Sequence, residues 1–212
     1  MQLVLLSGGS GKRLCPLSNN VRSKQFLPLL EKEDGTIESM VQRVVRQAKA
    51  AGLTNAITLA TNTSQLDIIT NQLGDTVSVV TEPECRDTFP AIALAASYLH
   101  FAKCCADDEV IVIMPCDPYT EADYFETIGK MVECVKRDVA ELVLMGITPT
   151  YPSEKYGYVM PIASDNEYKM VSYFTEKPTV ERAKELLAEN AYWNGGVFAF
   201  RLGYMMNIVK KY

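Results

Sequence analysis

Apolar residues recur along this chain in two rhythms: short runs that read as buried strands, and longer stretches at helical spacing. Runs at residues 2–6, 56–60, 77–81, 109–114 and 142–147 are predicted strands, the last two apolar enough to be buried in a parallel sheet. Between them, Met40, Val41, Val44, Val45 and Ala48 share one face of a helix expected over residues 38–51. Further helices are expected over residues 64–73, with Ser64 as N-cap, and over 124–136. Another should begin near Pro90, capped by Asp87 or Thr88, and run to about Cys104. This alternation predicts an α/β fold: a doubly wound, mostly parallel sheet covered on both faces.

After Pro149 the rhythm changes. Residues 156–161, 170–175 and 195–201 read as strands, with one helix among them over 180–190 and a last helix over 202–212. This β-richer half is expected to form a substrate lobe attached to the first sheet. Residues 32–35 are polar and read as a surface turn. In open α/β sheets ligands bind beyond the carboxyl ends of the strands. Chemistry is therefore expected in residues 7–18, 82–90 and 115–119.

Composition narrows the classes. The chain has 212 residues, 48% hydrophobic and 22% charged, enough for one sizeable domain with a packed core. Its net charge of −5, with no basic run, argues against nucleic acid as a partner. A phosphate ligand would need a local site that works against the overall charge. No apolar run reaches the ~18 residues of a membrane span. Nothing resembles a signal peptide, so no membrane partner and a cytoplasmic location are expected. Six cysteines (Cys15, Cys85, Cys104, Cys105, Cys116 and Cys134) form no C-x-x-C pair and are expected to be reduced thiols. One histidine, His100, leaves too few parts for a histidine metal site or a Ser-His-Asp hydrolase, and it reads as structural.

The first strand runs into Ser7-Gly8-Gly9-Ser10-Gly11-Lys12-Arg13-Leu14. Closely spaced glycines let the backbone turn sharply and aim several amide N–H groups at one phosphate. Lys12 and Arg13 add positive charge, and a guanidinium can grip pyrophosphate through two N–H groups. The spacing fits neither a Walker loop, which needs a glycine at position 6, nor a Rossmann fingerprint, which needs one at position 14. A merely structural turn is the bland alternative for this segment taken alone.

The segment continues to Pro16-Leu17-Ser18 and then Ser23-Lys24-Gln25-Phe26. Together these resemble the signature of the sugar-phosphate nucleotidyltransferases, and Lys-Gln-Phe resembles the mannose-1-phosphate guanylyltransferase branch. Glu82-Pro83, Arg86-Asp87-Thr88 and Pro90-Ala91-Ile92-Ala93 are similar to the family's base-binding turn and the helix after it. Pro115-Cys116-Asp117 resembles the strand end that gives an aspartate to the metal. Tyr156-Gly157-Tyr158, Glu176-Lys177-Pro178 and Trp193-Asn194-Gly195-Gly196 resemble the sugar-site segments.

The resemblance implies a Rossmann-like nucleotidyltransferase core with a sugar-binding half, and transfer of a nucleotidyl group from GTP to mannose 1-phosphate. By the same resemblance, Gly8, Gly9, Ser10, Gly11 and Lys12 hold the triphosphate. Arg13 binds the departing pyrophosphate, Lys24 contacts the reacting phosphate and Asp117 holds Mg²⁺. Arg86, Asp87 and Thr88 meet the base. Gly157, Glu176, Lys177 and Asn194 meet the hexose 1-phosphate. Trp193 is expected to pack in the core. The nucleophile is an already ionised phosphate oxygen, so the work left is positioning and charge stabilisation.

Some positions depart from the family pattern. Asp87 stands where asparagine is frequent, Pro118 where histidine is common and Cys15 where tryptophan is common. Family cores also continue further and supply a second aspartate. Residues 1–212 are therefore expected to be a catalytic domain truncated at its C-terminal end, with Met205, Met206 and Ile208 partly uncovered and favouring homo-oligomers. Another NDP-hexose pyrophosphorylase is one rival reading. The other is a non-catalytic regulatory module that binds nucleotide sugars, which would have no need to keep Arg13, Lys24 and Asp117.

Overall fold

The computed structural model describes residues 1–8, 16–19, 22–84, 86–164 and 166–212. The expectations for Gly9, Ser10, Gly11, Lys12, Arg13, Cys15 and Cys85 lie outside these residues. The chain divides into two compact units, residues 1–143 with 198–212, and residues 144–197.

The first unit is built on β1 (Gln2–Leu6), followed by a hairpin of β2 (Pro28–Glu31) and β3 (Ile37–Ser39). Then come α1 (Met40–Ala50), β4 (Ile57–Asn62), α2 (Leu66–Leu73), β5 (Ser78–Glu82), α3 (Thr88–Ser97), β6 (Val110–Pro115) and α4 (Ala122–Lys136). The strands lie in the order β5-β4-β1-β6 and are mutually parallel. From β1 the chain winds outward one way to β4 and β5, then returns to place β6 on the other side of β1. That reversal makes the ends of β1 and β6 the topological switch point of the sheet.

Alternate residues of these strands point to opposite faces, and both sets are buried. Val4, Ile111 and Ile113 pack with Ile92, Ala95, Ala96 and Leu99 of the α3 region. Leu3, Leu5, Leu59, Val112 and Met114, on the other face, are 0% exposed. Helices α1 and α4, which touch each other, bury Val41, Val44, Phe125 and Ile128. The expected α/β class, mostly parallel and covered on both sides, is what the chain adopts.

β7 (Leu142–Ile147) leads out of the first unit. The second unit contains β8 (Tyr158–Pro161), β9 (Val171–Thr175), α5 (Val180–Ala188) and the start of β10 (Tyr192–Arg201). β8 pairs antiparallel with β9 and with Tyr192 and Trp193. Ala183 and Leu186 of α5 pack on Tyr158, Met160 and Ala191, and Trp193 packs against that cluster. The end of β10 returns to the first unit antiparallel to β6, and α6 (Leu202–Lys211) closes the chain.

Several local expectations are corrected. Helix α1 begins after Ser39, not at Glu38. The Ser39 hydroxyl accepts from the Gln42 amide, and the Gln42 side chain reaches back to the Ser39 amide, a capping box. Ser64 does not cap α2, because a tight turn at Thr63–Gln65 precedes that helix and the Ser64 hydroxyl turns to Asn62. α3 starts at Thr88 with Asp87 in the cap position, but no side chain caps it. The helical stretch continues through a wider turn, Tyr98–Ala102, and Cys104 and Cys105 lie beyond it. β7, expected to be buried, buries only Met145. Met205 and Met206 are 6% and 3% exposed, packed into the same cluster as α3, so they do not form the uncovered patch expected of the last helix.

Candidate active site

Both strands at the switch point end in residues the sequence singles out. After β1 come Ser7 and Gly8, and after β6 come Cys116 and Asp117. The Ser7 amide donates to the Ala60 carbonyl at 2.8 Å and the Cys116 amide to the Leu6 carbonyl at 3.1 Å, so the ladder holds these residues in line past the strand ends.

Lys24 comes from a distant part of the chain and sits on a single tight turn, Lys24–Phe26. The two residues after it anchor the turn: Phe26 is fully buried, and its carbonyl accepts from Gln72 Nε2 at 2.8 Å. Gln25 points inward and donates to the Ser7 hydroxyl at 2.9 Å. With its neighbours turned into the core, Lys24 faces outward and its Nζ forms an ion pair with Asp117 Oδ2. The two side chains are 40% and 30% exposed. A pair this wet is worth little in itself, so an incoming phosphate or cation can separate it at small cost.

Two groups beside Asp117 stay uncharged. Burial pushes the Cys116 thiol up to about 12, and the charge of Asp117 adds to this, so it is no nucleophile near neutrality. The Tyr124 phenol is raised as well, first by burial and then by Asp117. Among the described residues no group of three or more His, Cys, Asp or Glu side chains could hold a metal ion. The donor set nonetheless fits Mg²⁺ as that ion is usually bound, through one or two carboxylates plus phosphate oxygens and water, with Asp117 as the carboxylate.

At the end of β5, Glu82 is 5% exposed and burial raises its carboxyl above the ordinary range. Past it, Arg86 pairs in solvent with Glu84 at 2.9 Å. Asp87 takes φ 74°, a backbone region that favours glycine, and leaves the first amides of α3 without a side-chain cap. Arg86, Asp87 and Thr88 thus form an open turn at the head of a helix.

In the second unit the structure brings Gly157, Glu176, Lys177 and Asn194 together. The Asn194 amide donates to the Gly157 carbonyl at 2.8 Å, and Asn194 Oδ1 accepts from the Gly196 amide at 3.1 Å. This bend needs glycine at 196, where φ is 68°. A β-carbon on Gly157 would lie 2.6 Å from Glu176 Oε2 and 2.5 Å from the Phe174 ring. Absence of a side chain there is what lets the Glu176 carboxylate come in close. Lys177 Nζ lies 3.2 Å from Glu176 Oε1. The arrangement offers acceptors for hydroxyls and one cation for a phosphate. Trp193 stands beside it with the rings of Tyr151 and Tyr156 at 5.2 and 4.8 Å.

The sequence reading missed Gln65, which is fully buried at the end of the turn after β4 and bonded to Ser7 and Ser23. Its position just past a parallel strand end was the available signal.

Comparison with known proteins identifies the family. A family model described as nucleotidyl transferase matches residues 2–212. The alginate biosynthesis protein AlgA of Pseudomonas syringae pv. tomato is 33% identical, over 99% of this chain and 43% of that protein. The mannose-1-phosphate guanylyltransferase of Sinorhizobium fredii is 33% identical, over 93% of this chain and 38% of its own length. The solved structure of mannose-1-phosphate geranyltransferase from Thermus thermophilus superposes with a TM-score of 0.84 at 28% identity, covering 99% of this chain and 60% of that one. The chain spans less than half the length of these two curated relatives.

Proposed function

Because this chain belongs to the nucleotidyl transferase family, we propose that it transfers the guanylyl group of GTP to mannose 1-phosphate, giving GDP-mannose and pyrophosphate. The observation that carries this reading is the meeting of Lys24 and Asp117 at the switch point, beside the strand that runs into the glycine segment. A phosphate oxygen of the sugar 1-phosphate attacks the α-phosphorus of GTP. The bond between that phosphorus and the bridging oxygen breaks, and pyrophosphate leaves with the electron pair. No proton need move.

Lys24 meets the α-phosphate as charge builds on it, and Arg13 takes the departing pyrophosphate. Gly8, Gly9, Ser10, Gly11 and Lys12 hold the triphosphate. Mg²⁺ held by Asp117 would neutralise phosphate charge. Arg86, Asp87 and Thr88 receive the base, with the Asp87 carboxylate accepting from the guanine N–H edge. Gly157, Glu176, Lys177 and Asn194 receive the sugar phosphate. As part of this reading the protein works in the cytoplasm, where the thiols of Cys104, Cys105, Cys116 and Cys134, none of them in a disulfide, stay reduced.

The test is pyrophosphate release across the four nucleoside triphosphates and several sugar 1-phosphates. GTP with mannose 1-phosphate should be fastest. In calorimetric titrations GTP should bind at least about tenfold tighter than ATP, CTP or UTP, since a site that hydrogen-bonds one base leaves its groups unpaired with another. Equal or tighter binding of CTP or UTP would overturn the guanylyl assignment.

The sugar half makes its own prediction. In Gly157→Ala the new methyl displaces the ends of two flexible side chains, Phe174 and Glu176, and no backbone. The fold should survive with its melting temperature nearly unchanged, while KM for mannose 1-phosphate rises about tenfold, as expected when a binding group is misplaced. An unchanged KM would remove Glu176 from the sugar site.

A further inference from the structure

The residues on either side of Lys24 are tied into one buried knot of side chains. Gln25 Nε2 donates to Ser7 Oγ at 2.9 Å, and Ser7 in turn donates to Gln65 Oε1 at 3.3 Å. Gln65 Nε2 donates to Ser23 Oγ at 2.7 Å, which closes the circuit on the other side of Lys24. Thr61, near the end of β4, donates to the same Gln65 oxygen. Gln65 and Ser23 are 0% exposed, Ser7 1% and Gln25 2%, so the whole circuit lies out of water.

A core that needed only filling would place apolar side chains here. A hydrogen-bonded circuit does something that packing does not. Its amide has distinct donor and acceptor ends, so it accepts one arrangement of its partners, and out of water every unmade bond is costly. Ser7 directly precedes Gly8. The circuit therefore fixes three things to one another: the start of the glycine segment, the end of β4 and the turn that bears Lys24. Gln65 is the member that joins Ser7 to Ser23.

The geometry points to Gln65 as a positioning residue that sets the Lys24 ammonium relative to the phosphates held by the glycine segment, a role that rests on the nucleotidyl-transfer reading. Gln65 reaches no substrate, being buried. It acts through Ser7 and Ser23. Transfer of this kind is governed by alignment, and a displacement of the order of an ångström in a charged group lowers the rate without much change in ground-state binding.

The test is a double-mutant cycle on kcat for pyrophosphate release from GTP and mannose 1-phosphate with Mg²⁺. Gln65→Leu is expected to lower kcat about tenfold, with KM for GTP within about twofold of the parent. Adding Lys24→Ala in that background should cost only about tenfold, against about 10²-fold in the parent, because a misplaced lysine has less left to lose. The same full cost of Lys24→Ala in both backgrounds would overturn the positioning role. If Gln65→Leu does not fold, Ser23→Ala runs the same cycle with the same two outcomes, since it breaks the Gln65–Ser23 bond and leaves Gln65 its bonds to Ser7 and Thr61. A parent chain that releases no pyrophosphate overturns the transfer reading and this role with it. The parent rate alone separates the two failures.

Discussion

Lys24→Ala is expected to lower kcat about 10²-fold while leaving the protein folded, the scale of losing one preorganised charge aimed at a developing anion. The side chain is 40% exposed and its turn is held by Gln25 and Phe26, so the truncation removes a charge and little packing. The loss should fall on kcat more than on KM for GTP. A cation whose contact tightens as the α-phosphate gains negative charge contributes to the transition state beyond what it gives the bound substrate. Steady-state kinetics beside a melting curve is the measurement. A near-normal kcat would strike Lys24 from the catalytic group.

Asp117→Asn should have an effect of at least that size, and it distinguishes two readings of the Lys24–Asp117 pair by sign. If Asp117 holds Mg²⁺, the amide is a much poorer ligand. kcat then falls about 10²-fold or more, and the Mg²⁺ concentration for half-maximal rate rises about tenfold. If Asp117 is only a partner for Lys24, its loss frees a cation. GTP would then bind as tightly or more tightly, with unchanged Mg²⁺ dependence, and that result would remove the metal role. The substitution introduces no reactive thiol to confuse the outcome. Burial, not the charge of Asp117, is the larger cause of the raised Cys116 pKa, so the thiol stays protonated in the variant.

Most of the first unit could be read from apolar periodicity, because a parallel sheet buried on both faces must be written as unbroken apolar runs separated by helices. β1 and β7 fall where the pattern puts them. Reading failed where local chemistry is ambiguous. The pattern predicts a strand from Gly195, yet β10 begins three residues earlier, at Tyr192, and takes the positive φ of Gly196 within the strand. The β2–β3 hairpin was missed because its strands are short and do not alternate. Only the turn between them was legible, where Asp34 accepts from the Thr36 amide at 2.9 Å. The motifs supplied Lys24 and Asp117 as separate candidates, but their contact is a product of topology. Gln65 was missed for the opposite reason. A glutamine that follows Asn62, Thr63 and Ser64 reads as surface, and only the fold shows it to be fully buried.

The first unit is discontinuous: residues 144–197 are made before residues 198–212 return to complete it. On a chain emerging from its N-terminus, Val4, Ile111, Ile113 and helix α3 must wait for Phe200, Leu202, Met205 and Met206 before their shared cluster can close. Folding of the first unit is therefore finished only after residues 198–212 have been made. Such long-range closure makes it a slow folder for its size, with apolar surface open to chaperones, or to aggregation, until α6 docks. The loop-closure entropy grows only slowly with the length of the intervening segment. The order of synthesis, more than the size of the inserted unit, is then what sets the vulnerable interval.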